Sequence, residues 1–361
     1  MLSLVEKGVV GSVYFVKKDY WPHDTTLWIK DFHGNDELFA YYFFLAMAQY
    51  LAQLDVGSAN PTLNRNHVHP IKTMWPPLGE QKAIGKILGL LDDRIALLGE
   101  TNTTLETIAQ TLFKSWFVDF DPVRAKQDGR EPEGMDSATA ALFPGSFKES
   151  ESGLVPMGWS RLPFTDTVHV IGGGTPKTSV SEYWNGDISW FSVVDAPEIT
   201  DVFVVDTKKH ITKDGLDNSS TKLLAKGTTI ISARGTVGRL ALVGREMTMN
   251  QSCYGLRGKY DDAYFTYFST YRLVESLRQR SHGSVFDTIT TDTMRGVYVI
   301  YPDKKIVEKF EIALNPVMNR IRENLLQSKT LSALRDTLLP RLISGQLRLP
   351  DAEAIIEKTV A

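Results

Sequence analysis

The sequence predicts an α+β protein in which β-rich domains are joined by two long helices, and three observations lead there. The chain resembles itself at an offset of 226 residues. Each copy begins with short β-branched and aromatic runs broken by Gly and Asn turns. Each copy then ends in a long stretch with apolar residues at heptad spacing.

The repeat holds one register over most of its length. Phe39, Tyr41 and Leu51 fall on Phe265, Tyr267 and Leu277; Gly57, Ser58 and Thr62 fall on Gly283, Ser284 and Thr288. Pro76, Arg94, Leu105 and Leu112 fall on Pro302, Arg320, Leu331 and Leu338. With one residue of slippage, the GVVG at 8–11 meets the GTVG at 235–238. A chance match recovers scattered hydrophobics, whereas a single register points to duplication. Met1 then corresponds to about Gly227 or Thr228, so the first copy has no counterpart of residues 158–226.

Strands are expected in LAKGTTIISARGTVGRLALVG (224–244) and GVYVIYP (296–302). The first long helix places Ile84, Leu91, Leu98, Leu105 and Leu112 in one row and Leu88, Ile95, Asn102, Ala109 and Trp116 in the next. The second has Phe310, Val317, Asn324, Leu331 and Leu338, then Leu314, Ile321, Ser328, Arg335 and Leu342. It is the weaker seam, and Pro316 is expected to kink its first turns. Two such helices in a duplicated chain are expected to pair, with Asn102 and Asn324 as polar intrusions that set register. The competing reading lays each helix on its own globular domain.

The resulting division is a partial first β-rich domain at 1–77, a helix at 78–118, a polar Pro- and Gly-rich linker at 119–157, a complete β-rich domain at 158–302, a second helix at 303–347 and a tail at 348–361.

Composition narrows the function classes. At 42% hydrophobic and 23% charged, the chain has the balance of a globular protein rather than a disordered one. The lone Cys253 cannot form an internal disulfide, and no charged-then-apolar leader opens the sequence, so a cytoplasmic location is expected. The most apolar run, Phe39 to Ala52, is shorter than the roughly 20 residues a membrane span requires. Net charge of -3 excludes a histone-like coat but not basic residues gathered on one face.

Motifs for chemistry are absent from the sequence. GGGTPK (172–177) lacks the P-loop spacing, His67 and His69 have no third ligand nearby, and Cys253 has no nucleophile motif around it. Asp119 and Asp121 read as solvated charges beyond a helix end. No cofactor loop or N/D-P-P-Y/F tetrapeptide supports a solitary methyltransferase. No catalytic, cofactor or metal site is expected in this chain.

Binding chemistry is what remains. Residues 158–302 hold 16 Lys or Arg against 15 Asp or Glu, so local placement rather than bulk charge decides. Candidate contacts are Lys177 and Thr178 after the Gly-rich turn, Arg234 in SARG, Asn250 and Gln251 in MNQS, and Ser284, Thr290 and Thr291 in GSVFDTITT. Arg suits guanine O6 and N7, Asn or Gln suits adenine N6 and N7, and Lys, Ser and Thr suit phosphates. The alternative for each is an ordinary turn former.

Several segments together resemble the specificity (S) subunit of type I DNA restriction-modification systems. They are IGGGTPKTSVSEYWNGDISWFSVVD (171–195), MNQSCYGL (249–256), WPPLGEQKAI (75–84), LFKSWFVDFDPVRAK and GREPEGMD within 112–136, and RDTLLPRLISGQL (335–347). The resemblance implies two target recognition domains held apart by an antiparallel coiled coil of the long helices. Each domain reads one half of a bipartite site on double-stranded DNA. It also implies partners: two modification subunits binding S-adenosylmethionine, and restriction subunits using ATP and Mg, with no chemistry and no membrane contact in the S subunit itself.

With its first recognition domain short of the counterpart of 158–226, this chain is not expected to achieve full bipartite recognition alone. A truncated product, a misplaced start and a piece completed by another polypeptide all fit, as does a protein-interaction scaffold without full DNA recognition. A helix from Glu80 to Trp116 would be about 55 Å long, against roughly 34 Å for a DNA turn. Inserting a heptad near Asn102 is therefore expected to lengthen the gap between half-sites while leaving both halves unchanged. An unchanged gap in methylome sequencing would count against the ruler.

Overall fold

A computed structural model describes residues 2–5, 11–19, 21, 26–54, 63–150, 153–197, 201–280 and 288–360. Along the chain, strands β1 (Leu2–Val5), β2 (Val13–Phe15) and β3 (Thr26–Trp28) come first. Helices α1 (Glu37–Ala46), α2 (Ala48–Gln53) and α3 (Arg65–Val68) follow and lead into α4 (Leu78–Phe117). Next come α5 (Asp121–Gln127), α6 (Ser137–Leu142) and the hairpin of β4 (Phe147–Ser150) and β5 (Gly153–Pro156). Then β6 (Ser160–Pro163), β7 (Val168–Gly172), β8 (Trp184–Phe191), β9 (Phe203–Val204), β10 (His210–Ile211) and α7 (Lys213–Asp217) lead to β11 (Thr229–Ser232), β12 (Leu240–Val243), β13 (Thr248–Met249) and β14 (Cys253–Gly258). Last are α8 (Ala263–Arg280), α9 (Thr291–Arg295), β15 (Tyr298–Tyr301), α10 (Lys304–Ile343) and α11 (Leu349–Val360).

The chain divides into two units. Unit 1 comprises 1–98 with 327–361, and unit 2 comprises 99–326. The long helices contribute to both. In unit 1 the early part of α4 packs on the late part of α10, burying Ile84, Leu88, Leu91 and Leu98 against Leu331, Leu334, Leu338 and Leu342. In unit 2 the late part of α4 packs on the early part of α10, through Ala109, Phe113, Trp116 and Phe117 against Phe310, Leu314, Met318 and Ile321. The pairing is antiparallel, and the residues at heptad spacing form its seam. Asn102 donates from Nδ2 to the Ile321 carbonyl at 3.2 Å, and Asn324 donates to Asn102 Oδ1 at 2.9 Å. Both amides are buried, and this pair of bonds gives each of them a partner inside the seam. The helical stretch of α10 is unbroken through Pro316, which lacks the N–H of one helical bond.

Unit 1 carries the three-stranded antiparallel sheet β2-β1-β3. The apolar segment after it forms α1 and α2, meeting at Met47, rather than one helix. It is covered: Phe39, Tyr42 and Phe43 join the α4–α10 seam, and Leu51 lies in a second cluster with Val13 and Leu63.

Unit 2 is built on the five-stranded sheet β7-β14-β11-β12-β9, flanked by the smaller sheet β10-β8-β13. Strands β11 and β12 bury the runs Thr229–Ser232 and Ala241–Val243, and β14 buries Cys253, Gly255, Leu256 and Gly258. Helix α8 covers the large sheet with Leu273, Val274 and Leu277, and turns Phe265 and Phe268 onto Phe113 of α4 with ring centroids 5.7 Å apart in both cases. The segment that composition reads as a linker carries α5, α6 and the β4–β5 hairpin. Its sparse apolar residues Phe120, Val123, Phe143 and Val155 are all buried in the same core as Trp159, so a few anchors outweigh the polar average.

The units share a plan. Helices α4 and α10 are each 40 residues long, and their first residues, Leu78 and Lys304, stand 226 apart. The same separation divides the starts of α1 and α8 and of α3 and α9, and β2-β1-β3 has the order of β12-β11-β14.

The join between α8 and α10 in unit 2 has a titrating component. The half-buried Glu311 carboxylate on α10 accepts the N–H groups of Phe265 at 2.7 Å and Tyr264 at 3.2 Å, capping the first turn of α8. Burial, with a smaller contribution from the nearby charges of Asp262 and Asp261, pushes its pKa up from 4.5 to about 7. The unfolded chain therefore releases this proton first as pH rises. The stabilisation is complete below about pH 4.5 and lost as pH rises through 7, a change of about 3 kcal/mol at most. We expect Glu311→Gln, which keeps one acceptor, to remove this part of the pH dependence; parallel melting curves of both proteins from pH 5 to 8 would contradict it.

Candidate nucleic-acid interface

Strand pairing in unit 2 brings distant loops to one end of the large sheet. Antiparallel pairing sets Gly172, the last residue of β7, beside Tyr254, and Cys253, the first pair of β14, beside Ser232, the last residue of β11. The exits of β7 and β11 and the start of β14 thus lie at the same end. Ala233 N–H donates to the Ser252 carbonyl at 2.8 Å, Ile289 N–H donates to the Ala233 carbonyl at 2.9 Å, and Arg234 forms an isolated bridge with Thr288. This pulls the start of α9, with Thr290 and Thr291, to the loop that carries Arg234. Lys177 and Thr178, both exposed, lie a few residues beyond β7.

The Gly-rich turn serves close packing at this end. A Cβ on Gly173 would lie 1.9 Å from the Asn250 carbonyl oxygen, and one on Gly174 would lie 2.3 Å from Ser220 Oγ. The backbone is locked there by Gly174 N–H to the Met249 carbonyl at 2.9 Å and by Asn250 N–H to the Phe191 carbonyl at 2.9 Å. The Thr175 hydroxyl also donates to Gln251 Oε1. The loops carrying Lys177 and Gln251 are thereby held together.

The candidates differ in what their side chains already do. Lys177 and Arg234 are exposed. Asn250 is half-buried, and its Oδ1 accepts the Ser252 N–H at 3.0 Å, a turn-forming bond that occupies half of the two-bond adenine pattern. Thr290 caps α9 by exchanging bonds with Thr293, while Thr291 is exposed on the first turn. Ser284 lies outside the described residues. Sequence reasoning missed two cations. Lys208 is exposed and comes to this end because its N–H donates to Asp195 Oδ1 at 2.8 Å. Arg239 is spent on structure, donating to the Pro197 carbonyl at 2.6 Å. Neither has a local motif; tertiary pairing alone places them.

Among the described residues there is no group of three or more His, Cys, Asp or Glu that could hold a metal ion. Cys253 is buried, and burial pushes its thiol up to about 12, away from a reactive thiolate. No described helix is long and apolar enough to cross a membrane.

In unit 2, a mixed sheet module with loops gathered at one end packs on antiparallel segments of two long helices, an α+β arrangement. The chain belongs to the family of type I restriction modification DNA specificity domains, whose pattern it matches over residues 2–107 and 156–327. It is 28% identical over 329 residues to the type I restriction enzyme HindI specificity subunit of Haemophilus influenzae, a match covering 80% of this chain and 71% of that one. It is also 28% identical over 172 residues to the MjaIX specificity subunit of Methanocaldococcus jannaschii, covering 47% and 40%. The crystal structure of a type I restriction-modification S subunit from M. genitalium shares the fold, with a TM-score of 0.55 at 16% identity over 95% of this chain and 82% of that one.

Proposed function

We propose that this chain is a non-catalytic, sequence-reading subunit that directs a type I restriction-modification complex to DNA, with unit 2 engaging one half-site through the loop end of its large sheet. The observation that carries this reading is the convergence of Lys177, Arg234 and Gln251 at that end, although they are far apart in sequence. Lys177, together with Lys208, supplies the phosphate contact and Arg234 a base contact, while Gln251, whose Oε1 accepts the Thr175 hydroxyl, presents only its amide N–H groups to a base edge. Chemistry belongs to the modification and restriction subunits, which dock on the paired helices.

The reading predicts two separable results. Lys177→Ala weakens binding to every duplex alike and lowers the salt slope by about one. Arg234→Ala relaxes preference at one base pair by about 1–3 kcal/mol. Binding that ignores salt, or two variants with the same specificity profile, would leave the chain as a protein-interaction scaffold.

A further inference from the structure

The register of β8 breaks beside the Gly-rich turn. His210 of β10 pairs with Ser189, while the next residue, Ile211, pairs with Trp184, so residues 185–188 bulge between them, with Asn185 at φ 61°. A bulge of this kind re-aims side chains. Here it folds Trp184 back onto Trp190 of the same strand, edge to face, with ring centroids 5.2 Å apart.

Both indoles then donate to one loop. The Trp190 N–H meets the Gly174 carbonyl at 3.0 Å, and the Trp184 N–H meets the Lys177 carbonyl at 3.3 Å. Trp190 is buried and Trp184 half-buried, so the inner indole anchors the turn while the outer one reaches the surface. The outer ring has a second neighbour. The Lys209 ammonium lies 5.9 Å from its centroid, within range of attraction to the π face. One side chain thus touches the backbone of Lys177, which follows β7, and the side chain of Lys209, which precedes β10.

The cations gathered here carry no counter-ion. Elsewhere in unit 2 exposed cations pair locally, Lys213 with Asp217 and Arg257 with Asp261. Lys177 and Lys209 are exposed and make no ion pair among the described residues. Lys208, fixed through its N–H to Asp195, stands next to Lys209 in the chain. Unneutralised ammonium groups brought to one indole from separate loops suit a ligand with negative charges in a row, and a nucleic-acid strand presents one phosphate per nucleotide.

We propose that Lys209 is a further phosphate-contact residue of unit 2 and that Trp184 is a positioning residue, its indole joining Lys177 and Lys209 into a clamp on neighbouring phosphates of one DNA strand. This role rests on the proposed DNA reading. It adds that the smaller sheet, and not the loop end of the large sheet alone, holds the duplex. The clamp contributes affinity without sequence preference, because phosphates carry no sequence information, and leaves discrimination to Arg234.

The test is binding of the full chain to a short mixed-sequence duplex over a range of salt concentrations, with melting temperatures recorded for every variant. Lys209→Met keeps an apolar stem on Trp184 and removes the charge. It is expected to flatten the dependence of log affinity on log salt by about 0.9 with the melting temperature unchanged. In the Trp184→Leu background the same change is expected to flatten it by less than about half as much, because the lysine has already lost its support. A purely structural tryptophan would lower the melting temperature without this coupling. A parent chain whose binding ignores salt fails the DNA reading and the clamp with it. Steep salt dependence in the parent with an unchanged slope in Lys209→Met overturns the clamp alone and leaves Lys209 as packing on the indole. An undiminished effect of Lys209→Met beside Trp184→Leu overturns the positioning role. Should Trp184→Leu fail to fold, Trp184→Phe, which keeps a ring and drops the N–H, takes its place. Combined with Lys177→Ala it must give less than the sum of the two separate losses in affinity, and strict additivity overturns the role of Trp184.

Discussion

Gly173→Ala is expected to disable the loop end of the large sheet while Gly172→Ala leaves it intact. The added methyl of the first variant meets the Asn250 carbonyl oxygen at 1.9 Å and its carbonyl carbon at 2.6 Å, both backbone atoms; the second meets nothing within 4 Å. Rotamer changes cannot relieve a backbone collision. The turn must separate from 249–251, losing the bond from Gly174 N–H to the Met249 carbonyl and the contact of Thr175 with Gln251. Overpacking of this kind costs roughly 3 kcal/mol, against about 0.5 kcal/mol or less for an unobstructed surface change. On the proposed function, half-site binding falls by more than tenfold for Gly173→Ala, because the loops bearing Lys177 and Gln251 lose their common anchor. Equal melting temperatures and equal binding for the two variants would show that the close approach has no such role.

In unit 1, Asp92→Ala is expected to lower stability by about 3 kcal/mol. Arg335 occupies a seam position, where a heptad calls for an apolar side chain. It is tolerated because Asp92 Oδ1 accepts its Nη1 at 2.6 Å, while Asp92 Oδ2 accepts the Tyr42 hydroxyl at 2.6 Å. Both charged side chains are less than a third exposed, so removing the carboxylate leaves a guanidinium and a phenol to be resolvated within the packed seam. Asp336, on the same turn of α10, stays bonded to Arg335 and limits the loss. The double variant Asp92→Asn with Arg335→Leu is expected to recover most of the stability, since Asn keeps an acceptor for Tyr42 and Leu suits the seam. Urea midpoints at constant slope measure both changes. A single variant within 1 kcal/mol of the parent, or a double variant no better than the single, would remove the ion pair from its assigned role.

These cases mark how far the sequence could be read. Phe310, Leu314, Leu338 and Leu342 recur at a helical period, and that period alone commits α10 to a long helix with one apolar stripe. Asn102 and Asn324 were legible as polar intrusions in the seam, but that Asn324 donates to Asn102 while Asn102 donates to the Ile321 carbonyl was not, because only the helix pairing brings them together. The structure of 119–157 was hidden. Phe120, Val123, Phe143 and Val155 are too sparse to form a period and become meaningful only when α4 and α10 offer them a common core.

Arg335 illustrates the same divide, since a charged residue in a seam reads as weakness until Asp92 is seen opposite it. The candidate contact residues divide likewise. Residue type marked Lys177, Arg234, Asn250 and Gln251 as able to meet nucleic acid, yet whether a side chain such as Asn250 also braces a turn, or one such as Lys208 reaches the same end, is written only in the tertiary contacts. Periodicity, repetition and turn chemistry are local properties, so the sequence alone determined the helices, the duplicated plan and the pool of polar loop residues. Which loops meet, which side chains are consumed by capping and which surfaces stay open depend on strand pairing between residues far apart in the chain, and only the tertiary structure decided them.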